Sequence, residues 1–253
     1  MPAAGEVRIR FASLDLETGE LARLARFLSP DELARADRLL SRRKRDRFVA
    51  GRGFLRETLA TYLDIEPAHL RIIEGEHGKP LLAETGAPLH FNLSHAHDLA
   101  VLAVAVDCRV GIDLERVDEH LPYREIAQRF FAPGEWQELS SLPPHLQLSA
   151  FYRFWTRKEA YLKGLGTGFS RPAASFAVSL LPDQPCAPMD FQARDGVPSP
   201  WRIVDVPVPE DYHGALAVEC ATPQYRINAR LTPERARPQT APGAPPAHSP
   251  SIA

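Results

Sequence analysis

The chain has 253 residues, of which 25% are charged and 44% apolar, with a formal net charge of −2. That length suffices for one large domain or two of about 120 residues, each able to bury a core. Cys108, Cys186 and Cys220 cannot all pair with one another and form no C-x-x-C, which excludes a disulfide framework and a structural zinc site.

The longest apolar run, Leu99 to Val106, is strand-length, and Met1 to Asp15 lacks the cationic start and apolar stretch of a secretory signal. No membrane segment is expected, and a reducing cytoplasm suits the cysteine usage. Charge is distributed unevenly. Between Ala22 and Glu57 eleven arginines and lysines face five acids, a local excess of six that leaves the rest of the chain acidic. Lysines occur only at 44, 79, 158 and 163, so each one stands out.

A strand is expected over Val7 to Phe11. Ser29-Pro30-Asp31-Glu32 then opens a helix, with serine as cap, proline in the first turn and acids at the positive end of the dipole. A second helix, about Arg42 to Tyr62, carries Phe48, Leu55 and Leu59 at helical spacing. His90 to Val106 reads as a turn followed by a buried strand. Asp107-Cys108-Arg109 is short enough to return the chain as a hairpin into a neighbouring antiparallel strand, Val110 to Val117. Helices are expected over Tyr123 to Phe131 and from Pro133 through Trp136 and Leu139. After Pro143-Pro144 a stronger helix carries Leu148, Phe151, Tyr152, Trp155, Glu159 and Leu162 on one stripe, and Gly164, Gly166 and Gly168 end it. Strand-like runs at Ser175 to Leu181 and His213 to Cys220 follow. From Thr232 onward six of twenty-two residues are proline, which reads as a disordered tail.

Gly111-Ile112-Asp113-Leu114-Glu115 carries the strongest chemical signal. On a strand Asp113 and Glu115 project from one face, where two repelling carboxylates invite a cation. The alternative is a solvated polar face on an edge strand. Hard oxygen ligands of this kind suit Mg²⁺ with a phosphate ester. Glu159, inside an otherwise apolar stripe, carries a desolvation cost unless something pairs with it, either a metal or an i,i+4 partner in Lys163. Ser94 and His95 are sequence neighbours with no G-x-S-x-G elbow, which disfavours a serine hydrolase. A zinc site at His90, His95 and His97 lacks a fourth ligand at suitable spacing. The basic run Arg42-Arg43-Lys44-Arg45-Asp46-Arg47 reads as a solvated helix face or a pocket for a polyphosphorylated small molecule. Nucleic acid is disfavoured by the acidic total and the lack of interleaved aromatics.

Taken in order, Gly78-Lys79-Pro80, Phe91-Asn92-Leu93-Ser94-His95, Gly111-Ile112-Asp113-Leu114-Glu115, Phe130-Phe131 with Glu135, and Trp155 through Lys158-Glu159 and Lys163 to the glycines resemble the 4′-phosphopantetheinyl transferases of the surfactin-synthetase-activating type. The resemblance spans roughly Phe27 to Val178. It implies an α+β fold of two similar halves related by a pseudo-twofold axis, with the active site in the cleft between them. The halves would be residues 1–108 and 109–231, followed by the tail 232–253. It further implies a monomer that transfers the phosphopantetheine arm of coenzyme A to a serine of an apo acyl- or peptidyl-carrier protein, releasing adenosine 3′,5′-bisphosphate. Mg²⁺ would be held by Asp113, Glu115 and Glu159. Glu159 would also act as base, and Lys163 would stabilise the leaving phosphate. Gly78, Lys79 and Pro80 would contact adenine, and Arg52, Ser94 and His95 the 3′-phosphate. Ala132 departs from the Ser or Thr usual at that helix cap, a loss of about 1 kcal/mol. The competing expectation is a non-catalytic binder of coenzyme A or nucleic acid using a basic helix over 35–56.

Overall fold

The structure is a computed structural model that describes residues 2–3, 5–75, 77–83, 89–167, 170–180, 186–190, 199–220 and 227–230. The expected tail, Gly168 and the end of the Ser175 to Leu181 run lie outside these residues. The strands are β1 (Val7–Ser13), β2 (Ile72–Glu74), β3 (Pro80–Leu82), β4 (Leu89–Ala96), β5 (Leu99–Val106), β6 (Val110–Arg116), β7 (Phe176–Ala177), β8 (Met189–Asp190), β9 (Trp201–Asp205), β10 (Tyr212–Glu219) and β11 (Ile227–Arg230). The helices are α1 (Thr18–Ala25), α2 (Pro30–Asp37), α3 (Arg42–Leu63), α4 (Tyr123–Phe130), α5 (Pro133–Ser141) and α6 (Pro144–Leu165).

Two sheets form the centre of an α+β fold: β11-β1-β5-β4 and β6-β10-β9. Period-two alternation decides what each face meets. On β5, Val101, Ala103 and Ala105 join Val7, Ile9 and Phe11 of β1 in an apolar layer shared with Ile112, Leu114, Leu216 and Val218 of the second sheet. The opposite face of β5, Leu102 and Val104, packs on Leu55 and Leu59 of α3. On β10, Ala215 and Ala217 turn the other way, toward Phe154 and Ala160 of α6. The order of layers is thus α3, sheet, sheet, α6.

Several expectations change. His90 to Ala96 is a strand and not a turn, since β4 pairs with β5 along its whole length, Leu89↔Val106 to Ala96↔Leu99. The hairpin partner expected for β5 is also different. Both edges of β5 are occupied, by β1 and β4, so β6 leaves that sheet and pairs with β10, Ile112↔Leu216. A strand has only two hydrogen-bonding edges, and loop length cannot reveal which neighbours take them. The single buried stripe expected for α6 widens until Arg157 and Lys158, on the far side, are buried too. Arg157 donates to Asp205 at 2.8 Å through both Nε and Nη2, and Lys158 donates to Glu135 at 2.7 and 2.9 Å and to the Phe176 carbonyl at 2.7 Å.

Helix boundaries follow their local chemistry. Ser29 Oγ accepts from the Glu32 N–H, and Glu32 accepts from the Ser29 N–H, a reciprocal cap. Ala132 has no such oxygen. Glu135 still accepts from the Ala132 N–H at 2.8 Å and from the Val178 N–H at 2.8 Å, so half of the cap survives. Gly166 ends α6 at φ +74, a left-handed conformation that suits glycine. No helix among the described residues is long and apolar enough to cross a membrane.

Candidate active site

Because Val110, Ile112 and Leu114 face the first sheet, Gly111, Asp113 and Glu115 face α6. Helical spacing of four sets Trp155, Glu159 and Lys163 on one face of α6. The two elements touch where side chains vanish: a Cβ on Gly111 would lie 2.1 Å from the Ala160 carbonyl oxygen and 2.2 Å from the Gly164 nitrogen. β6 and α6 therefore meet backbone to backbone, and the carboxylates converge just beyond that contact.

Asp113 is 2% exposed, which removes the solvated-edge alternative although β6 is an edge strand. Its Oδ1 accepts from Lys163 Nζ and from Ser94 Oγ at 3.1 Å, and Lys163 also donates to Ser94 Oγ at 3.0 Å. Asp113 Oδ2 is buried with no hydrogen-bond partner. Burial and then the Asp113 charge push Glu115 up to about 7, against the opposing pull of Lys163 and a hydrogen bond from Trp155. Glu159 is also raised, by burial and then by Asp113. Three carboxylates thus sense one another around one orphaned oxygen. Among the described residues no three acids, histidines or cysteines are gathered into a ready-made ligand set. The hard oxygen donors nevertheless suit a divalent cation, which would satisfy Asp113 Oδ2 and relieve the repulsion. Of the two alternatives for Glu159, the i,i+4 ion pair is not formed: Lys163 pairs with Asp113, and only its charge draws Glu159 down.

β4 brings Ser94 to this cluster. Its Asn92, not singled out from sequence beyond its place in a motif, accepts from the Ile112 N–H at 2.8 Å through Oδ1 and so ties β4 to β6. Position i−2 from Ser94 on one strand was the available signal. Ser94 is buried and donates to Asp113, so its hydroxyl is poorly placed as a nucleophile. His95 is exposed at the end of β4. Lost solvation and the nearby Lys163 and Arg47 hold its pKa below the usual histidine range.

Gly78 (φ +77) makes the turn between β2 and β3. From there Lys79 Nζ donates to the carbonyls of Lys163 (2.7 Å), Val110 (3.0 Å) and Gly164 (3.2 Å), capping the last turn of α6 from another part of the chain. Burial, then Arg109, lowers Lys79 to about 8. A cavity of about 280 Å³ opens beside it, lined by His77, Lys79, His90, Phe91, Arg109 and Gly166 among others.

Among the described residues no hydrogen bond or ion pair joins Arg52 to Ser94 or His95. It pairs with Glu32, as does the buried Arg56 at 2.6 Å. The stretch 35–56 is likewise not one helix: α2 ends at Asp37 and α3 begins at Arg42, capped by Ser41. Much of its positive charge is answered by acids, Arg42 by Asp46, Arg35 by Glu74, and Arg43 and Arg47 by Asp15. Hydrogen bonding from Arg47 is the first cause holding Asp15 down at about 2. A larger, open cavity of about 590 Å³ lies there, lined by Asp15, Arg42, Arg43 and Asp46, away from the carboxylate cluster.

A buried carboxylate cluster with a lysine, set between β6 and α6 of an α+β fold, agrees with what comparison of the whole chain finds. Residues 109–217 match the 4′-phosphopantetheinyl transferase superfamily, and residues 17–107 match the 4′-phosphopantetheinyl transferase N-terminal family. The chain belongs to this superfamily and is an enzyme of that class.

Among its relatives, the 4′-phosphopantetheinyl transferase HetI of a Nostoc species is 39% identical, over 81% of this chain and 84% of that protein. A 4′-phosphopantetheinyl transferase of Bacillus subtilis is 31% identical, over 83% and 89% respectively. The L-aminoadipate-semialdehyde dehydrogenase-phosphopantetheinyl transferase of Mus musculus is 33% identical, over 62% and 54%.

Proposed function

We propose that the enzyme transfers the 4′-phosphopantetheine arm of coenzyme A to a serine of an apo acyl- or peptidyl-carrier protein, and that Mg²⁺ assists. The observation that carries the reading is the buried, unpartnered Asp113 Oδ2 beside Glu115 and Glu159, with Lys163 at the same carboxylate. Asp113, Glu115 and Glu159 would hold the ion. When bound, Mg²⁺ neutralises charge on the pyrophosphate oxygens.

The chain's own residues do the rest. Glu159 takes the proton from the incoming serine hydroxyl as its oxygen forms a bond to the β-phosphorus. The bond from that phosphorus to the bridging oxygen breaks, and adenosine 3′,5′-bisphosphate leaves. Lys163 stabilises the charge on the departing phosphate, the kind of positioning and neutralisation on which phosphoryl transfer depends. Gly78, Lys79 and Pro80 contact adenine, a reading supported by Lys79, which lines the 280 Å³ cavity. Ser94 and His95 serve the 3′-phosphate, and Arg52 joins them by exchanging the Glu32 carboxylate for phosphate. The net charge of −2 and the arginines already paired with acids support a small phosphorylated substrate over nucleic acid.

The test is a mass measurement. Purified protein with coenzyme A, Mg²⁺ and a panel of apo carriers should add one phosphopantetheine group to a carrier, and Asp113→Asn should slow this by at least about 100-fold with unchanged circular dichroism. No mass increase on any carrier, or full rate with the metal chelated, overturns the reading.

A further inference from the structure

Three cysteines cannot all pair, but two can, and the sheet register selects which. β6 and β10 run antiparallel with Val110 opposite Val218. One residue further out, the Glu219 N–H donates to the Arg109 carbonyl at 2.9 Å, which makes Arg109 and Glu219 a hydrogen-bonded pair. Beyond it, Cys108 in the bend before β6 and Cys220 just after β10 pack in the same apolar layer. The Cys220 N–H turns away to the Pro200 carbonyl at 3.2 Å, which leaves no backbone hydrogen bond from it toward Cys108. A disulfide needs Cα atoms roughly 4.4–6.8 Å apart, a separation in keeping with residues that flank the hydrogen-bonded Arg109 and Glu219. The two thiols are near enough to influence each other's ionisation. Both are thiols in this structure, Cys108 buried and Cys220 partly exposed.

We propose that Cys108 and Cys220 form a reversible cross-strand disulfide by exchange with a low-molecular-weight disulfide of the oxidised glutathione type, a covalent rung joining β6 to β10. Cys220, the accessible partner, attacks one sulfur of the small disulfide as its thiolate, forming a mixed disulfide and releasing one small thiol. Cys108 then gives up its proton and attacks the Cys220 sulfur, closing the rung and releasing the second thiol. Two protein thiols are oxidised and one small disulfide is reduced. Burial and the Cys220 contact push the Cys108 thiol up to about 11, which assigns it the second, intramolecular step.

The rung lies next to residues that shape the cavity. Arg109, ion-paired with Glu219, has its guanidinium 5.4 Å from the Trp201 ring centroid and lines the 280 Å³ cavity with Lys79. Oxidation would clamp that wall. Cys186 is elsewhere, buried on the bridge to Ile203 with its sulfur 4.0 Å from Arg157, and takes no part.

Full-length native protein is incubated with excess oxidised glutathione, acid-quenched, unfolded and assayed for thiols, then digested without reduction. The three thiols should fall to one, the Cys108 and Cys220 peptides should be joined, and dithiothreitol should restore all three. Cys186→Ser should still form the link, and Cys108→Ser should stop at glutathione bound to Cys220. Retention of three thiols, a link involving Cys186, a link between two chains, or glutathionylated Cys220 without closure in the unaltered protein overturns the proposal.

Discussion

Glu115 is where burial and like charge act most visibly on one group. Its pKa of about 7 lies above the 4.5 of an unfolded chain, so ionisation costs the folded state. The stability this group allows is fully present below 4.5 and lost as pH rises through about 7. Metal-free protein should therefore lose thermal stability between about pH 5 and pH 8, and Glu115→Gln should flatten that slope. Magnesium should raise Tm more at pH 8 than at pH 5, because the carboxylate it would bind is then charged. Identical slopes in the two proteins would show that other groups set the dependence. The pairing of Asp113 with Glu115 was legible from spacing alone. The depth of Asp113 was not, because an edge strand is normally half solvated and only α6 and β4 cover this one.

Between elements, the decisive contact is β6 against α6. Gly111 stood in the sequence as one residue of a motif, without a reason. Its reason is the Ala160 carbonyl and Gly164 nitrogen, which leave no space for a methyl group. Gly111→Ala should lower stability by about 3 kcal/mol or more, read from the urea midpoint, since both clashing atoms are backbone and cannot rotate away. An unchanged midpoint would mean that β6 can shift without penalty. Most helices here were legible because caps and prolines are local signals: Ser29, Pro133 and the Pro143-Pro144 pair mark starts that the structure keeps within a residue or two. Strand partners were not. Nothing between Val106 and Val110 reveals that β5 already has two neighbours. Likewise Lys158 gave no reason for its place until Glu135 and the Phe176 carbonyl were found around it.

For the molecule as a whole, the apolar layer shared by β1, β5, β6 and β10 runs across the boundary between residues 108 and 109 that the sequence suggests. Hydrogen bonds from Asn92 and Ser94 and the reach of Lys79 cross it as well. Unfolding should therefore be a single transition. Trp136, Trp155 and Trp201 all follow residue 109, so tryptophan fluorescence reports the second half, whereas far-ultraviolet circular dichroism also sees α3. The two urea curves should coincide. Separate midpoints would show two independent cores. The charge asymmetry that the sequence displays so plainly has a quieter meaning in three dimensions, since many of its arginines answer neighbouring acids and do not present a bare cationic face. Lys79, by contrast, works as a lever. The hairpin it rises from forms a wall of the cavity, while its ammonium grips the carbonyl of Lys163, the residue whose side chain reaches Asp113. One ammonium thus joins the cavity wall to the backbone of the residue that carries the cation, so the two ends of the site share a single tie.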